Sequence, residues 1–233
     1  MQYENFVDVV LPEEVWQSVM DMTWECASGL FLEPMSERHP LFDWQRAILE
    51  EEYNNYMIYT VPQLITDVGR FSTGVVLARD PVRECAAGFI LYSRDLRSDD
   101  IVGIIGTAVR KEYRLQGVMT EMIKELRKSV RDIGLSCSLG LVHVYHGLGF
   151  EVRGEQGAQV RMGWGGPGGE MARFREASFD NVDTVQAALA RLRDKLGESY
   201  GRVFSDRIGE IEAETLKVKN YIQQWQADPS LLP

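Results

Sequence analysis

Apolar residues recur every three or four positions through the first sixty residues. They gather into short unbroken runs between 75 and 109, then return to helical spacing beyond. Residues 5–11 read as a short strand. Pro12-Glu13-Glu14 then opens a helix, proline and acids both suiting a first turn. Val15, Val19 and Met22 form its apolar stripe and Gly29 is a stop signal. A second helix follows Pro40, carrying Leu41, Trp44, Ile48 and Tyr56, with Pro62 interrupting it or lying beyond its end. Residues 75–78 and 87–92 are strands joined by a turn at Asp80-Pro81; after a polar turn over 94–100, residues 101–109 form a third. Three successive strands of this kind predict an antiparallel meander. Met119, Met122, Ile123, Leu126, Val130 and Ile133 then recur as one helix face, which Gly134 ends. Residues 135–141 read as a strand, and 150–153 with 158–162 as a last hairpin.

Gly163-Trp164-Gly165-Gly166-Pro167-Gly168-Gly169 is the strongest boundary, since so much glycine disfavours regular structure. Beyond it, Val182, Val185, Leu189, Leu192 and Leu196 form one heptad-like seam. Ile208, Ile211, Thr215, Val218, Ile222 and Trp225 form another, with a break near 197–201. The second helix is roughly 30 Å long at 1.5 Å per residue. So narrow a stripe needs a partner surface. Two partners satisfy it: the chain's own domain, or another subunit in a homo-oligomer or larger assembly.

Composition narrows the setting. The apolar and charged fractions are those of an ordinary globular protein. No apolar run approaches a membrane span and the N-terminus has no basic-then-apolar signal, so the expectation is a cytoplasmic product with no membrane association. Cys26, Cys85 and Cys137 are scattered, which suggests reduced thiols, and no Cys/His spacing reads as a metal site. The net charge is −10. Residues 1–60 hold twelve acidic against two basic side chains (Arg38 and Arg46). That distribution argues against nucleic acid as a partner. The window 110–131 runs the other way, with Arg110, Lys111, Arg114, Lys124, Arg127, Lys128 and Arg131 against three glutamates.

That basic window opens on Val109-Arg110-Lys111-Glu112-Tyr113-Arg114-Leu115-Gln116-Gly117-Val118-Met119. A strand entering a glycine turn and then a helix presents free backbone N–H groups and a positive dipole end to an anion. The spacing fits neither the phosphate loop of nucleotide hydrolases nor the dinucleotide fingerprint. It resembles the pyrophosphate-binding turn of the GNAT superfamily of N-acetyltransferases, Arg/Gln-x-x-Gly-x-Gly/Ala, with Arg114 and Gly117 matching and Met119 at the small-residue position. Tyr145-His146-Gly147-Leu148-Gly149-Phe150 resembles the same family's Tyr-x-x-Leu-Gly-Phe signature.

The resemblance implies an α/β (mixed α+β) fold, GNAT-like, with a mostly antiparallel central sheet flanked by helices. A C-terminal helical hairpin or coiled-coil-like extension is added here. It implies a GNAT-like acyl-CoA-binding domain over 1–165, a glycine-rich linker over 166–180 and a helical extension over 181–233. It implies acetyl-CoA as co-substrate, held by the strand edge at Thr107, Ala108 and Val109. Arg114, Leu115, Gln116, Gly117, Val118, Met119 and Thr120 would form the pyrophosphate turn, and Tyr145 would be the acid that protonates the departing thiolate. The implied acceptor is an amine. Glu25, Glu33, Glu37, Glu50, Glu51 and Glu52, with Trp24 and Trp44, lie in the helices that wall the acceptor site in relatives and would favour a cationic one.

A general base is harder to find. Many relatives carry a glutamate on the strand before the turn, but 101–109 contains no carboxylate. Asp99 and Asp100 suit a turn, and His143 and His146, imidazoles able to move a proton, have no motif around them. Nothing beside Cys137 argues for an activated thiolate. Two functional readings result. One is an N-acyltransferase acting on an amine. The other is a catalytically silent protein of the same fold, assembling through its C-terminal helices, for example in a viral particle.

Overall fold

Strands buried on both faces make the centre of the molecule. Residues 75–78 and 86–92 are almost wholly shielded from solvent, which is why they read as continuous apolar runs rather than alternating ones. The computed structural model describes every residue except 32, 34, 66–68, 170–178, 180 and 229–233, and only the backbone of 63–65, 69 and 70. The described order is β1 (Gln2–Val7), α1 (Glu13–Leu30), α2 (Phe42–Ile58), β2 (Gln63–Ile65), β3 (Gly69–Phe71), β4 (Thr73–Asp80), β5 (Cys85–Arg94) and β6 (Ile101–Val109). Then follow α3 (Val118–Arg127), β7 (Asp132–Cys137), α4 (Val142–Gly147), β8 (Glu151–Gln156), β9 (Gln159–Gly165), α5 (Asp183–Leu196) and α6 (Tyr200–Ala227).

Seven strands form one sheet in the order β1-β4-β5-β6-β7-β9-β8, with β2 and β3 pairing apart from it. Every neighbouring pair in the large sheet is antiparallel except β6 and β7. Side chains alternate across it. Val75, Leu77, Phe89 and Leu91 face α1 and α2, where Val15, Val19, Met22, Leu49, Tyr53 and Tyr56 complete one core. Val76, Ala78, Ile90 and Tyr92 face α3, where Val118, Met122, Ile123 and Leu126 complete the other. The expected fold class is the one observed.

Several boundaries differ from the sequence reading. The first strand runs over 2–7 rather than 5–11, because Asp8 takes a left-handed backbone (φ 59°) that ends the pairing. The helix expected to run to Ile133 stops at Arg127. The amides of Arg131 and Asp132 bond instead to the Asp100 carbonyl, and residues 132–134 pair in parallel with 101–103. Val130 and Ile133 are buried as helix periodicity demands, but a strand-side core buries them. Gly134 therefore lies inside β7, which ends at Cys137 rather than Leu141, and a 3-10 turn (Leu139–Leu141) leads into α4. The first three residues of the glycine-rich boundary belong to β9. Gly165 has φ 87°, and a Cβ there would lie 2.0 Å from the Arg131 carbonyl oxygen, so only glycine permits that pairing. Most of the expected linker (170–178 and 180) lies outside the described residues.

Both C-terminal seams pack on the chain itself. Val185 of α5 packs with Ile48 of α2 and Phe179, and Leu192 joins the α1–α2 core. Val218, Tyr221 and Ile222 of α6 join the opposite core, beside β8 and β9. Each such fully buried aliphatic side chain contributes roughly 1.5–3 kcal/mol. One seam position is misassigned. Ile208 is exposed, and Arg207 takes the inward place before Ile211.

Candidate active site

The parallel pair β6–β7 is hydrogen-bonded only over Ile101–Gly103 and Asp132–Gly134; beyond this the two strands separate. Gly106 pairs with Leu91 and Ile104 with Tyr92, so Ile105 is an extra residue in β6. Such a bulge bends and twists its strand. β5 covers one edge of β6 as far as Val109, while the edge facing β7 has no strand partner past Gly103 among the described residues. Its backbone polar groups are available to a ligand that can pair as a strand would.

A cavity of about 270 Å³ lies at this fork. Ile104 to Thr107 of β6 form one wall and Leu135 to Cys137 of β7 another, while Tyr145 of α4 approaches from one sheet face. From the other face come Leu30, Phe31 and Glu33 at the end of α1, and Gln45, Leu49, Glu52, Tyr53 and Tyr56 of α2. Trp16 of α1 donates to Asn54 of α2 at 2.9 Å, which ties the two helices together. Tyr53 is 1% exposed and stands edge-on to Phe89, its ring directly over Gly106.

At the far end of β6 lies the glycine turn that the sequence marks as a candidate anion site. A single 3-10 turn (Lys111–Tyr113) is followed by Arg114 in extended conformation, whose Nε donates to the Val109 carbonyl at 3.0 Å. Leu115 (φ 60°) and Gly117 (φ 79°) both adopt left-handed backbone, and α3 begins at Val118. Alternation of this kind turns successive N–H groups toward one side, at the positive end of the helix. Apart from its chain neighbours, no atom of the described residues lies within 4 Å of where a Gly117 Cβ would stand, so the approach to these groups is open. Gln116 is held by a 2.7 Å bond to the Glu112 carbonyl. Met119 folds back toward β6, its sulfur 3.4 Å from the Thr107 hydroxyl. Thr107 also donates to the Phe89 carbonyl at 3.0 Å, Ala108 is buried, and Thr120 lies in the first turn of α3.

The basic flank is narrower than the sequence implies. Arg110 pairs with Glu25 at 3.0 Å, Arg131 with Asp100 at 2.7 Å and Lys124 with Glu121 at 2.7 Å. Arg127 stacks on Trp164 with its guanidinium 4.3 Å from the ring centroid. Arg114 and Lys111 are the exposed cations beside the turn.

Tyr145 sits on α4 because the second motif is a helix stop. The amides of Leu148, Gly149 and Phe150 bond back to Val144, His146 and Tyr145, and Phe150 is buried with its ring edge-on to Tyr145 at 5.8 Å. Burial, with Cys137 nearby, raises the Tyr145 pKa, so its phenol keeps its proton well above neutral pH. Burial likewise pushes the Cys137 thiol up to about 12, leaving no thiolate for nucleophilic work.

Other candidates fall outside the cavity. His143 and His146 are exposed on α4, Asp99 pairs with Arg94 at 3.4 Å, and Trp24 stacks on Arg46 at 3.3 Å. Trp44 packs on Phe204. Of the six glutamates singled out by sequence, Glu33 and Glu52 reach the wall. Burial raises the Glu33 carboxyl above the usual range, opposed by the Arg207 guanidinium. Sequence reasoning missed Tyr53, although Leu49, Tyr53 and Tyr56 recur at spacings of four and three on α2. Among the described residues no group of three or more His, Cys, Asp or Glu could hold a metal ion, and no helix is long and apolar enough to cross a membrane.

These features agree with a family model. Residues 16–150 match that of the acetyltransferase (GNAT) family, and the chain belongs to this family. No match is found among curated proteins. The fold is similar to that of an acyl-CoA N-acyltransferase from Pseudomonas aeruginosa (13% identity, TM-score 0.46, covering 70% of this chain and 97% of that one). It is also similar to spermidine N-acetyltransferase from Vibrio cholerae in complex with CoA and spermine (17%, 0.45, 70% and 95%). A third is ribosomal-protein-S5-alanine acetyltransferase from Vibrio fischeri (14%, 0.44, 72% and 94%).

Proposed function

We propose that this protein is an N-acetyltransferase that moves an acetyl group from acetyl-CoA to an amine, a cationic one by preference. One observation carries the reading. The strand β6 leads into an open glycine turn and, a few residues earlier, borders a cavity whose described lining has three phenols, Tyr145 among them, and two acidic residues. In this reading residues 1–165 are the acyl-CoA-binding unit and 181–233 its helical extension. Backbone N–H groups from Leu115 to Thr120 hold the pyrophosphate, with Arg114 adding charge, and the free edge at Thr107, Ala108 and Val109 pairs with the pantetheine arm.

The amine must lose a proton as it attacks the acetyl carbonyl, and the leaving thiolate must gain one. Tyr145 supplies the second proton, its buried phenol remaining protonated at the pH of the reaction. Glu33 is the base. Its carboxyl has been raised by burial, which makes it a better proton acceptor than a solvated glutamate, and it lies in the same wall. With Glu52 it gives the cavity two acidic residues, and none of the described lining residues is basic. That lining favours a positively charged acceptor.

Calorimetric titration with acetyl-CoA tests the proposal. Micromolar binding is expected, and ligand at about a hundredfold over its dissociation constant should stabilise the fold by roughly 2.7 kcal/mol. Gly117→Glu should abolish binding by placing a carboxylate against the phosphates. No binding to the wild-type protein at millimolar acetyl-CoA would refute it.

A further inference from the structure

The C-terminal helix reaches the Glu33 segment of the acceptor wall through Arg207. Arg207 of α6 is 8% exposed, and its Nη2 donates to the backbone carbonyl of Glu33 at 2.8 Å, across 174 positions of sequence. Its Nη1 bonds Glu210, one turn further along α6, at 3.0 Å. Glu210 in turn lies 4.0 Å from His39 Nε2, and the other ring nitrogen of His39 accepts the Leu41 amide at the start of α2. The segment between α1 and α2 is thus fastened to α6 at Glu33, and His39 lies beside Glu210. Arg207, from beyond the glycine-rich boundary, offsets part of the charge of Glu33.

A guanidinium suits this task. Its planar fork can serve a carbonyl and a carboxylate at once, and its fixed charge strengthens both bonds. Burial alone drives Glu33 toward its neutral form, and a neutral carboxyl cannot accept a proton from an amine. Arg207 opposes that drift without itself lining the cavity.

We propose that Arg207 makes the C-terminal helix a working part of the acceptor site, as a positioning residue that fixes the Glu33 segment and keeps the Glu33 carboxylate ionised beside the cavity. The assignment of Glu33 as base rests on the acetyltransferase reading; the coupling of Arg207 to Glu33 does not. The other described titratable groups of this neighbourhood are Glu210 and His39 within the network, and Glu52, Tyr53, Tyr56, Tyr145 and Cys137 in the cavity wall.

The test follows the Glu33 carboxyl in the full-length protein by carbon-13 NMR with labelled glutamate, Glu33→Gln assigning the resonance. In Arg207→Met the Glu33 midpoint should move upward, outside the error of the wild-type fit. In Arg207→Lys, which keeps a charge but loses the fork, it should move upward by less. Thermal unfolding of each variant reports that it remains folded. A midpoint in Arg207→Met equal to that of wild type overturns the proposal. If that variant does not fold, an unchanged midpoint in Arg207→Lys does the same. Acetyl-CoA titration of the wild-type protein separates the two claims. A shifted Glu33 midpoint without acetyl-CoA binding would remove the acetyltransferase reading and leave the coupling standing.

Discussion

Gly106→Ala puts one methyl group into the tightest contact of the cavity. A Cβ at this position would stand 1.6 Å from the Tyr53 hydroxyl oxygen and 2.7 Å from the ring carbon that bears it. Non-bonded atoms rest at roughly 3.5 Å, so the ring must retreat by about 2 Å. Little room exists for this. Tyr53 is 1% exposed and lies edge-on to Phe89 at 6.2 Å, so the ring must swing into the cavity or β6 must shift. Overpacking of this kind costs about 1–3 kcal/mol. For a chain of this length each kcal/mol lowers the melting temperature by roughly 2–4 °C, giving an expected fall of about 2–12 °C. Chemical denaturation would read the cost, and a double-mutant cycle with Tyr53→Phe would locate it. Removing the hydroxyl takes away the closest atom but leaves the 2.7 Å contact, so relief should be partial, with a coupling energy on the order of 1 kcal/mol. Gly106→Ala as stable as wild type, or with strictly additive effects, would refute this account of the wall.

Three further outcomes are expected. Tyr145→Phe should lower turnover by about 10²–10⁴-fold while leaving acetyl-CoA affinity unchanged, and steady-state kinetics with full activity would dismiss Tyr145 as the acid. Glu33 binds its proton more tightly in the folded protein than in the unfolded chain. Its contribution to stability is therefore full below the ordinary glutamate value and is lost as pH rises through the raised one. Denaturation measured across that window should show Glu33→Gln gaining on wild type as pH increases, and parallel curves would contradict it. Val218→Asp should cost several kcal/mol, because it buries an unpaired charge at a position 1% exposed, whereas Ile208→Asp on the same helix should fall within about 0.5 kcal/mol. Equal melting temperatures for the two would mean that α6 is not docked on its own chain in solution.

How much was legible before folding depended on whether a signal was local. The turn at Arg114–Gly117 and the Tyr145 motif are local devices. Each is fixed by a positive-φ glycine and by hydrogen bonds between residues at most a few positions apart, so their residue types announce them. Strand β6 was equally plain as an apolar run bounded by polar turns. The end of α3 was not, because Val130 and Ile133 keep helical periodicity in a stretch that the Asp100 carbonyl and the edge of β6 draw into a strand. Burial records that a residue faces the core, not which element carries it there.

The site followed the same division. Sequence alone pointed to the glycine turn, to Tyr145 and to an acidic N-terminal region. Only the tertiary structure decided that β6 and β7 part after three paired residues, because that parting depends on a bulge at Ile105 read against β5. It alone selected Glu33 and Glu52 from six glutamates, and it set Arg207, spaced like a neighbour of an apolar seam, against the carbonyl of Glu33. Periodicity specifies a face. Which surface meets that face depends on contacts between residues far apart in the chain, and no local pattern encodes those.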